Sequence, residues 1–588
     1  MFILGIHFGH NATAVLLKDG CVLGCVSEER FNGIKNYIGF PYESIEYLLK
    51  EFNLKKTDID YAVLPYMNAA PIFGSEEKKK DFSSRLLTLI YYPVSIIRWI
   101  WGNIEYYLPV LRPISLLSYN ICVDIGARLT IKKQMDYIAS FLGIDRSKVL
   151  SYDHHLCHGV SAYYGSPYNK EDALILTLDG EGDKLCATVS VVRGGKLERL
   201  SETPIGNSLG WIYMDVTRYL GMKPGEHEYK VMGLAAYAKS YGIDKVYQKI
   251  KDLIALDKKD SLAFKSRFDT HHTYKYLKKA MVGFKFDDIS GAFQKLVEDL
   301  VAKWVKAAIK KTGIKTVVAA GGVFMNVKAN LKIAEMDEVE KFFVFPSAGD
   351  ESSAIGAAYQ AYLEHNPKAE IESVSNLYWG PKFTNEEIEQ FINDNGYDKK
   401  YKVEKLDNIA KKAAQLLSED KILARVSGRM EWGARALGNR SILANPKDSD
   451  NVRLINEQIK MRDFWMPFTP SILKEREKDY IINPKGIDSK FMTITFHSTK
   501  LAQKDIRAAM HAYDFTIRPQ LVDMDYNPGY YKLIKEFEKI TGIGGVLNTS
   551  FNIHGMPIVK GPKEALEAIE NSGLEYLILE DYLISKNK

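Results

Sequence analysis

Apolar segments that end in glycine- and aspartate-containing turns, and helical patterns between them, constrain the fold of this chain more than any other feature. Buried strands are predicted at Ala173–Leu178, Thr316–Ala320 and Phe342–Phe345. Helical periodicity is evident at Ile289–Thr312 and Ser352–Leu363. Strands that run into such turns and then into helices predict an α/β architecture, with the ligand site at the strand ends.

The chain opens with three short apolar runs separated by turn residues, which predicts a β-meander. At 588 residues the chain is too long for one hydrophobic core, so several domains are expected. The helical and strand patterns lapse at 364–376 and resume in a second α/β unit. This second unit has a predicted helix at Leu406–Glu419 and predicted strands at Ile422–Val426, Phe491–Phe496 and Gly545–Leu547. No internal sequence repeat is detectable.

The composition is that of a globular protein, with 46% hydrophobic and 26% charged residues and a net charge of +5. The five cysteines form no CxxC pair, and the first residues lack a signal-peptide pattern, so we expect a cytoplasmic location. The segment 85–119 is rich in apolar and aromatic residues, but Pro93, Arg98 and Pro109 interrupt it, so no membrane span is predicted. Packing on the protein body, a homodimer interface, acceptor binding and a membrane-surface role all remain open for it.

Two histidines and two aspartates form a candidate metal site. His154 and His158 are four residues apart in DHHLCH, a spacing that puts both imidazoles on one face of a helix. Asp179 and Asp350 each follow a predicted strand. Incidental histidines and turn or cap carboxylates are the alternative interpretation. As a set, these residues suit a divalent transition metal such as Fe²⁺, Mn²⁺ or Zn²⁺.

Glycine-rich turns indicate anion or nucleotide binding, because backbone N–H groups are accessible there. The candidate residues are Gly180 and Gly182 in DGEGD, and Gly321, Gly322 and Asn326 in AAGGVFMN. Each loop alone is also consistent with a simple turn. Together, and in this order, they resemble the nucleotide-binding signature of the actin–sugar kinase superfamily.

The second half contains basic and amide side chains in segments without nearby acidic partners, which favours a phosphate-rich ligand, although surface arginines are the alternative. The candidate residues are Arg429, Arg435, Asn439, Arg440, Lys460, Arg462, Arg518, Asn548, Ser550 and Asn552.

Several motifs resemble the antibiotic and nodulation-factor O-carbamoyltransferases, namely HHLCH, LTLDGEGD, EYKVMGLAAYA, GGVFMN and GDESSAIGAA. The first domain of that family is similar to the tRNA threonylcarbamoyladenosine synthase. The second half resembles the family's C-terminal domain, whose fold is similar to the YrdC-type adenylate-forming proteins. The resemblance implies an actin-like (ASKHA) domain at 1–375, with an insert at about 67–130, and a smaller YrdC-like α/β domain at 376–588.

The same resemblance implies that carbamoyl phosphate and ATP, with Mg²⁺, are converted to carbamoyl-adenylate. Lys460, Arg462 and Arg518 would neutralise the phosphates. His154, His158, Asp179 and Asp350 would bind the metal, with Fe²⁺ favoured, and His10 would act as general base. The acceptor would be a hydroxyl of a sugar, a natural product or a hydroxymethylated nucleobase, with DNA or a nucleotide included. The aromatic and basic insert is a hypothetical acceptor-recognition segment, or else a packing insert.

Two other functions remain open at this level. A sugar-kinase-like ATP-dependent phosphotransferase would share the first fold, but it needs neither the histidine pair nor the basic second domain. A tRNA- or nucleic-acid-modifying protein of the threonylcarbamoyl type would also share that fold.

Overall fold

The computed structural model describes residues 1–68, 127, 129–553 and 555–586. The predicted insert at about 67–130 lies almost entirely outside the described residues. The chain forms two compact units, one of Met1–Glu28 with Asn36–Ser373 and the other of Glu29–Lys35 with Val374–Lys588. The short segment Glu29–Lys35 thus belongs to the second unit, whereas the sequence prediction had included it in the first domain.

The first unit is built on two five-stranded sheets with one shared topology. In the first sheet the order is β3-β2-β1-β4-β5, and in the second it is β8-β7-β6-β11-β12. In each sheet the first three strands in chain order are antiparallel, and the last two run parallel to the first. The strands are β1 (Phe2–His7), β2 (Thr13–Lys18), β3 (Cys21–Ser27), β4 (Tyr61–Leu64), β5 (Val149–Ser151), β6 (Ala173–Gly182), β7 (Leu185–Arg193), β8 (Lys196–Pro204), β11 (Thr316–Ala320) and β12 (Lys341–Val344), with a separate pair, β9 (Ile254–Leu256) and β10 (Phe264–Ser266).

This duplicated sheet is the actin-like architecture predicted from the sequence. The repeat is invisible in the sequence because the two copies share strand order and direction rather than residues. Helices pack against the sheets and against one another, at Tyr42–Glu51, 129–142, His154–Tyr164, Leu209–Tyr219, Glu228–Ala235, Ser240–Ile250, Thr273–Ala280, Phe286–Thr312, Val327–Ala334 and Ser353–His365.

The second unit contains an eight-stranded mixed sheet of order β13-β23-β22-β14-β15-β21-β16-β20 and a small sheet of order β17-β18-β19. Its strands are β13 (Tyr401–Lys405), β14 (Leu423–Val426), β15 (Arg440–Ala444), β16 (Thr469–Leu473), β17 (Ile481–Ile482), β18 (Phe496–Ser498), β19 (Thr516–Ile517), β20 (Gln520–Val522), β21 (Gly545–Ser550), β22 (Tyr576–Leu579) and β23 (Tyr582–Lys586). Its helices are Glu29–Asn32, Asn385–Asp394, Tyr397–Lys400, Ile409–Ser418, Asp450–Leu454, Glu477–Tyr480, Lys500–Asp505, Pro528–Thr541 and Pro562–Glu570, with a π-helix at Ile455–Lys460. The unit is α/β, and its YrdC-like character stays a prediction.

One predicted strand of the second unit is wrong. The apolar run at 491–496 is buried, but it is irregular up to Phe496, where β18 begins. Met492 adopts a positive φ of 58°, which interrupts an extended backbone. Burial alone therefore produced the strand-like pattern. Separately, none of the helices in the described part of the chain combines the length and apolar character needed to cross a bilayer.

Candidate metal centre and basic cluster

The predicted metal ligands converge in the first unit. Helix His154–Tyr164 supplies two imidazoles, β6 supplies Asp179, and the turn after β12 supplies Asp350. His158 Nε2 lies 3.1 Å from His154 Nε2 and 3.2 Å from Asp179 Oδ2. Asp350 Oδ1 is 3.6 Å from both imidazole Nε2 atoms. The four donor atoms all lie within 4.8 Å of one another.

These four donors fit a divalent transition metal. Nitrogen and oxygen ligands at about 2.0–2.2 Å from one ion are separated from each other by roughly 3.0–3.5 Å. Asp179 Oδ2 is buried and has no hydrogen-bond partner among the described residues. Burial lowers the pKa of His154, but the Asp179 and Asp350 carboxylates outweigh that effect and raise it to about 9. The cluster therefore favours positive charge at its centre, which a metal ion bound by neutral imidazoles would supply.

Hydrogen bonds at the start of helix His154–Tyr164 hold the two imidazoles in place. Asp153 caps the helix by accepting the Leu156 N–H at 2.7 Å, and it pairs with Arg199. Asp183 accepts the His154 backbone N–H at 2.7 Å. The negative charges of these carboxylates also interact favourably with the positive, N-terminal end of the helix dipole.

His155 points away from the centre, because it is adjacent to His154 on the helix and faces the sheet. Its Nδ1 lies 2.7 Å from Thr177 Oγ1, which in turn lies 2.7 Å from Thr188 Oγ1. The histidine thus anchors the helix to the sheet rather than contributing to the metal centre.

The predicted glycines surround Asp179, and their roles differ. A Cβ at Gly182 would lie 2.0 Å from His154 Cδ2, and one at Gly322 would lie 3.0 Å from Asp179 Oδ1. Gly321 has a φ of 105° and closely approaches the Leu178 carbonyl. Gly180 is open, with Met214 Sδ at 3.8 Å as the nearest atom to a built Cβ. Gly182 and Gly322 therefore give clearance to two candidate metal ligands, His154 and Asp179, a role that the sequence analysis did not assign.

Gly182→Ala is expected to weaken metal binding by at least about 10-fold, because the new methyl group occupies the space of the His154 imidazole. The measurement is calorimetric titration with Mn²⁺ or Zn²⁺. Gly180→Ala is the matched control in the same loop, since its Cβ meets no close atom. Equal metal affinities for the two variants would contradict the clearance role.

Basic side chains gather in the second unit. Burial strongly lowers the pKa of Arg518, and the charges of Arg435 and Arg462 lower it further. Arg518 Nε is buried without a hydrogen-bond partner among the described residues. Burial likewise lowers the pKa of Lys460, with Arg462 and Lys35 adding to the effect. We call Lys35, Arg435, Lys460, Arg462 and Arg518 the basic cluster.

Lys460 is the most enclosed of these charges and is only 4% exposed. Its Nζ donates to the carbonyl of Ser550, to Ser550 Oγ at 3.1 Å and to Asn552 Oδ1 at 2.6 Å. It ends the π-helix Ile455–Lys460, an irregularity often found at functional sites. The neutral oxygens orient the ammonium group without cancelling its charge, so an anion is still favoured nearby.

The sequence matches the carbamoyltransferase N-terminus over residues 2–359 and the carbamoyltransferase C-terminus over residues 414–586. The chain belongs to the carbamoyltransferase family. It is an enzyme that transfers a carbamoyl group.

Relatives of this carbamoyltransferase align along nearly its whole length. An uncharacterized protein of Methanocaldococcus jannaschii is 31% identical, with 98% of this chain and 94% of that protein covered. Nodulation protein NolNO of Sinorhizobium fredii is 30% identical, with 98% of this chain and 79% of that protein covered. Among solved structures, (R)-2-hydroxyglutaryl-CoA dehydratase component A of Acidaminococcus fermentans is 16% identical, with a TM-score of 0.32, and the match covers 62% of this chain and 98% of that chain.

Arg440 of the carbamoyltransferase is a scaffold residue, which corrects the prediction that it binds the nucleotide. Its guanidinium is completely buried and donates only to backbone carbonyls. These are the carbonyls of Pro381, Ser427, Gly428, Asn439 and Lys560, at 2.9–3.3 Å. Backbone carbonyls engage all three guanidinium nitrogens, and complete burial keeps the group away from a phosphate in solution.

Arg440→Ala is expected to lower the free energy of unfolding by about 3–5 kcal/mol, because it leaves several buried carbonyls without donors. Chemical denaturation measures this effect. Arg453→Ala is the control, since Arg453 is 60% exposed and pairs only with Glu457 in the same helical stretch. Similar unfolding free energies for the two variants would show that Arg440 is not a scaffold residue.

Three predicted amide ligands also have structural partners. Asn326 caps helix Val327–Ala334 and exchanges two hydrogen bonds with Gln294. Asn439 Nδ2 donates to the Arg429 carbonyl at 2.8 Å, while its Oδ1 accepts from Arg425. The third, Asn548, is fully buried in β21 and donates to the Ala436 carbonyl and Ser471 Oγ. These bonds give the three amides structural roles, and their binding of the nucleotide stays a prediction, as do the functional roles of Arg429, Arg435, Ser550 and Asn552.

The sequence analysis missed two candidate functional residues, His7 and Lys35. His7 is only 3% exposed, and burial lowers its pKa to about 4. The Asp350 carboxylate raises this pKa, whereas the His154 and His158 imidazoles lower it further. Its Nε2 must donate to the His10 carbonyl, 3.2 Å away, so His7 positions His10. The second candidate is Lys35 of the basic cluster. A histidine inside an apolar strand was the available signal for His7, but no local pattern pointed to Lys35.

Proposed function

We propose that this carbamoyltransferase forms carbamoyl-adenylate from carbamoyl phosphate and ATP in its second unit. The observation that carries the proposal is the basic cluster. Burial and the positive charges of Arg435 and Arg462 lower the pKa of Arg518, and no carboxylate is among the charges that shift this pKa. A ligand with several phosphate oxygens would relieve this repulsion, and ATP with carbamoyl phosphate supplies such oxygens.

The proposed adenylation proceeds in two steps. Water cleaves carbamoyl phosphate to carbamate and inorganic phosphate. A carbamate oxygen then attacks the α-phosphorus of ATP, which breaks the bond to the β-phosphate and releases pyrophosphate. Arg518 and Arg462 neutralise the charge that develops on the transferred and leaving phosphates, and Lys460 orients the carbamoyl group. Mg²⁺ accompanies ATP as part of the substrate.

The carbamoyl group is then transferred to an acceptor in the first unit. His154, His158, Asp179 and Asp350 would hold a divalent metal, with Fe²⁺ as the favoured ion, which would supply Lewis-acid attraction for phosphate oxygens when bound. The acceptor hydroxyl oxygen attacks the carbamoyl carbon, AMP leaves, and His10 accepts the hydroxyl proton. His7 fixes the backbone of His10 by its hydrogen bond to the carbonyl. The acceptor hydroxyl belongs to a sugar, a natural product or a hydroxymethylated nucleobase.

Incubation of the full chain with ATP, Mg²⁺ and carbamoyl phosphate tests the proposal. We expect pyrophosphate release that depends on carbamoyl phosphate, without any acceptor. Reactions without carbamoyl phosphate, or with inorganic phosphate in its place, are the controls. Formation of ADP instead of pyrophosphate would overturn adenylation and favour the kinase-like alternative, for which the first unit has the fold.

A further inference from the structure

Three large apolar side chains of the first unit are strongly exposed and belong to neighbouring helices. Val282 is 72% exposed and lies in the turn before helix Phe286–Thr312, whose first residue, Phe286, is 63% exposed. Tyr241, the second residue of helix Ser240–Ile250, is 72% exposed. Single exposed apolar residues are ordinary on protein surfaces, whereas a group of them indicates an interaction site. We call Tyr241, Val282 and Phe286 the apolar tip.

Close packing of two helices brings the members of the apolar tip together. The helix that carries Tyr241 packs against the helix that begins at Phe286. A Cβ at Gly242 would lie 1.9 Å from Asp288 Oδ1. Gly242 directly follows Tyr241, and the aspartate lies two residues beyond Phe286. The exposed apolar side chains therefore occupy one region of the surface.

A hydrogen bond joins a third helix to the same region. Tyr276 Oη of helix Thr273–Ala280 donates to the Lys249 carbonyl at 2.5 Å. This helix leads directly into the turn that carries Val282, since only Met281 separates the two. The three helices and the apolar tip thus form one continuous surface.

Positive charge is concentrated on this surface. Residues 239–286 contain twelve Lys or Arg and five Asp or Glu, a net charge of +7, whereas the whole chain carries +5. Lys245 Nζ lies 4.2 Å from the ring centroid of Tyr241, and Lys285 directly precedes Phe286, so positive charge borders the apolar tip. The exposed lysines that we call the surface lysines are Lys239, Lys245, Lys249, Lys278, Lys279 and Lys285.

We propose that this surface docks on a bilayer that contains anionic phospholipids. Binding to such a bilayer increases with buried apolar area and with attraction to the anionic lipids, and the surface supplies both. The apolar tip enters the boundary between headgroups and acyl chains, and the surface lysines face the lipid phosphates and carboxylates. Nucleic acid fits less well, because the aliphatic Val282 has no ring on which a base could stack. The inference goes beyond carbamoyl transfer and does not depend on it.

Co-sedimentation of the full chain with lipid vesicles tests the proposal. The vesicles consist of phosphatidylcholine alone or with about 30% phosphatidylserine, in about 0.1 M NaCl. We expect the chain to bind the anionic vesicles more tightly, and to bind them more weakly at about 0.5 M NaCl, because salt screens exposed charges.

Two double variants separate the two contributions. Lys245→Gln with Lys278→Gln should lower the partition coefficient for anionic vesicles about 25-fold, since each lysine near such a surface contributes about fivefold. Val282→Ser with Phe286→Ser should lower it by at least about 10-fold, because two apolar side chains no longer leave water on binding.

Matched substitutions outside residues 239–286 are the controls. Lys170→Gln with Lys196→Gln removes the same charge from exposed positions of the first unit. Ile540→Ser removes an exposed apolar side chain of the second unit. We expect these variants to bind anionic vesicles as the parent chain does, and thermal unfolding verifies that all variants are folded.

The proposal is overturned if the parent chain does not bind anionic vesicles more tightly than neutral ones, or if the control variants lose as much binding as the two double variants. Binding of single-stranded DNA without vesicle binding would also overturn it and assign the surface to nucleic acid. Self-association without vesicle binding, measured by sedimentation velocity and lost in Val282→Ser with Phe286→Ser, would overturn it in favour of a second copy of the chain.

Discussion

Arg518→Ala is expected to lower carbamoyl-phosphate-dependent pyrophosphate release by at least about 100-fold, the loss typical of removing one preorganised donor to a developing anion. Arg518 lies beside Arg435 and Arg462, and no carboxylate is among the charges that shift its pKa. Its buried Nε has no hydrogen-bond partner within the described part of the chain. Its charge is therefore available to a ligand. Steady-state assays that vary ATP and carbamoyl phosphate separately measure the effect on kcat and KM.

The stability of the same variant separates a functional role from a structural one. Burial and two like charges disfavour the charged form of Arg518 in the folded state, so its removal relieves an unfavourable interaction. We expect the Tm of Arg518→Ala to equal or exceed that of the parent chain, in contrast to Arg440→Ala. Arg453→Ala, an exposed substitution in the same unit, should leave pyrophosphate release unchanged. Unaltered release in Arg518→Ala would contradict the assignment of the basic cluster as the substrate site.

Asp179→Asn is expected to reduce affinity for a divalent transition metal by at least about 100-fold. Substituting a residue that only hydrogen-bonds to a metal ligand already lowers metal affinity about 10- to 100-fold, and Asp179 is itself a proposed ligand. The Asp179 carboxylate lies nearest to His158, and its Oδ2 has no hydrogen-bond partner among the described residues. The substitution removes one of the two negative charges of the donor set while preserving side-chain shape. Metal content after purification and calorimetric titration with Mn²⁺ or Zn²⁺ measure the loss.

Carbamoyl transfer and adenylation should respond differently to this variant. Asp179 is in the first unit, so we expect Asp179→Asn to retain pyrophosphate release while it loses metal-dependent transfer. Asp244→Asn is the control, because Asp244 is exposed on a helix of the same unit. Retention of full metal affinity in Asp179→Asn would refute the proposed ligand set. Loss of pyrophosphate release in the same variant would show that adenylation depends on the metal centre.

The positions of side chains on helices and at strand ends were predictable from the sequence, because helical spacing and strand direction fix where they point. The four-residue spacing of His154 and His158 on a helix, together with carboxylates at strand ends, correctly grouped the metal-site residues. The duplicated sheet was not visible in the sequence, because equivalent strands need only equivalent burial and direction. At 491–496 the apolar pattern reported burial correctly, but the positive φ of Met492 determined the conformation.

The motifs were less informative about which polar residue meets a ligand. Arg435 and Arg440 stand in one glycine-containing segment, yet backbone carbonyls engage every nitrogen of Arg440. Likewise, Gly180 and Gly182 are two residues apart, and only Gly182 must lack a side chain for His154 to fit. Such distinctions depend on atoms far away in the chain.

The sequence by itself determined the α/β class, the family and the membership of the metal site, because these follow from periodicity, residue type and motif order. The tertiary structure alone decided that Arg440 is bound by backbone carbonyls, that Asn439 and Asn548 have structural partners, and that His7 holds His10. The physical reason is that a hydrogen bond acts only at contact distance and in a defined direction. Which donors and acceptors come into contact is set by long-range packing, which no local sequence pattern encodes.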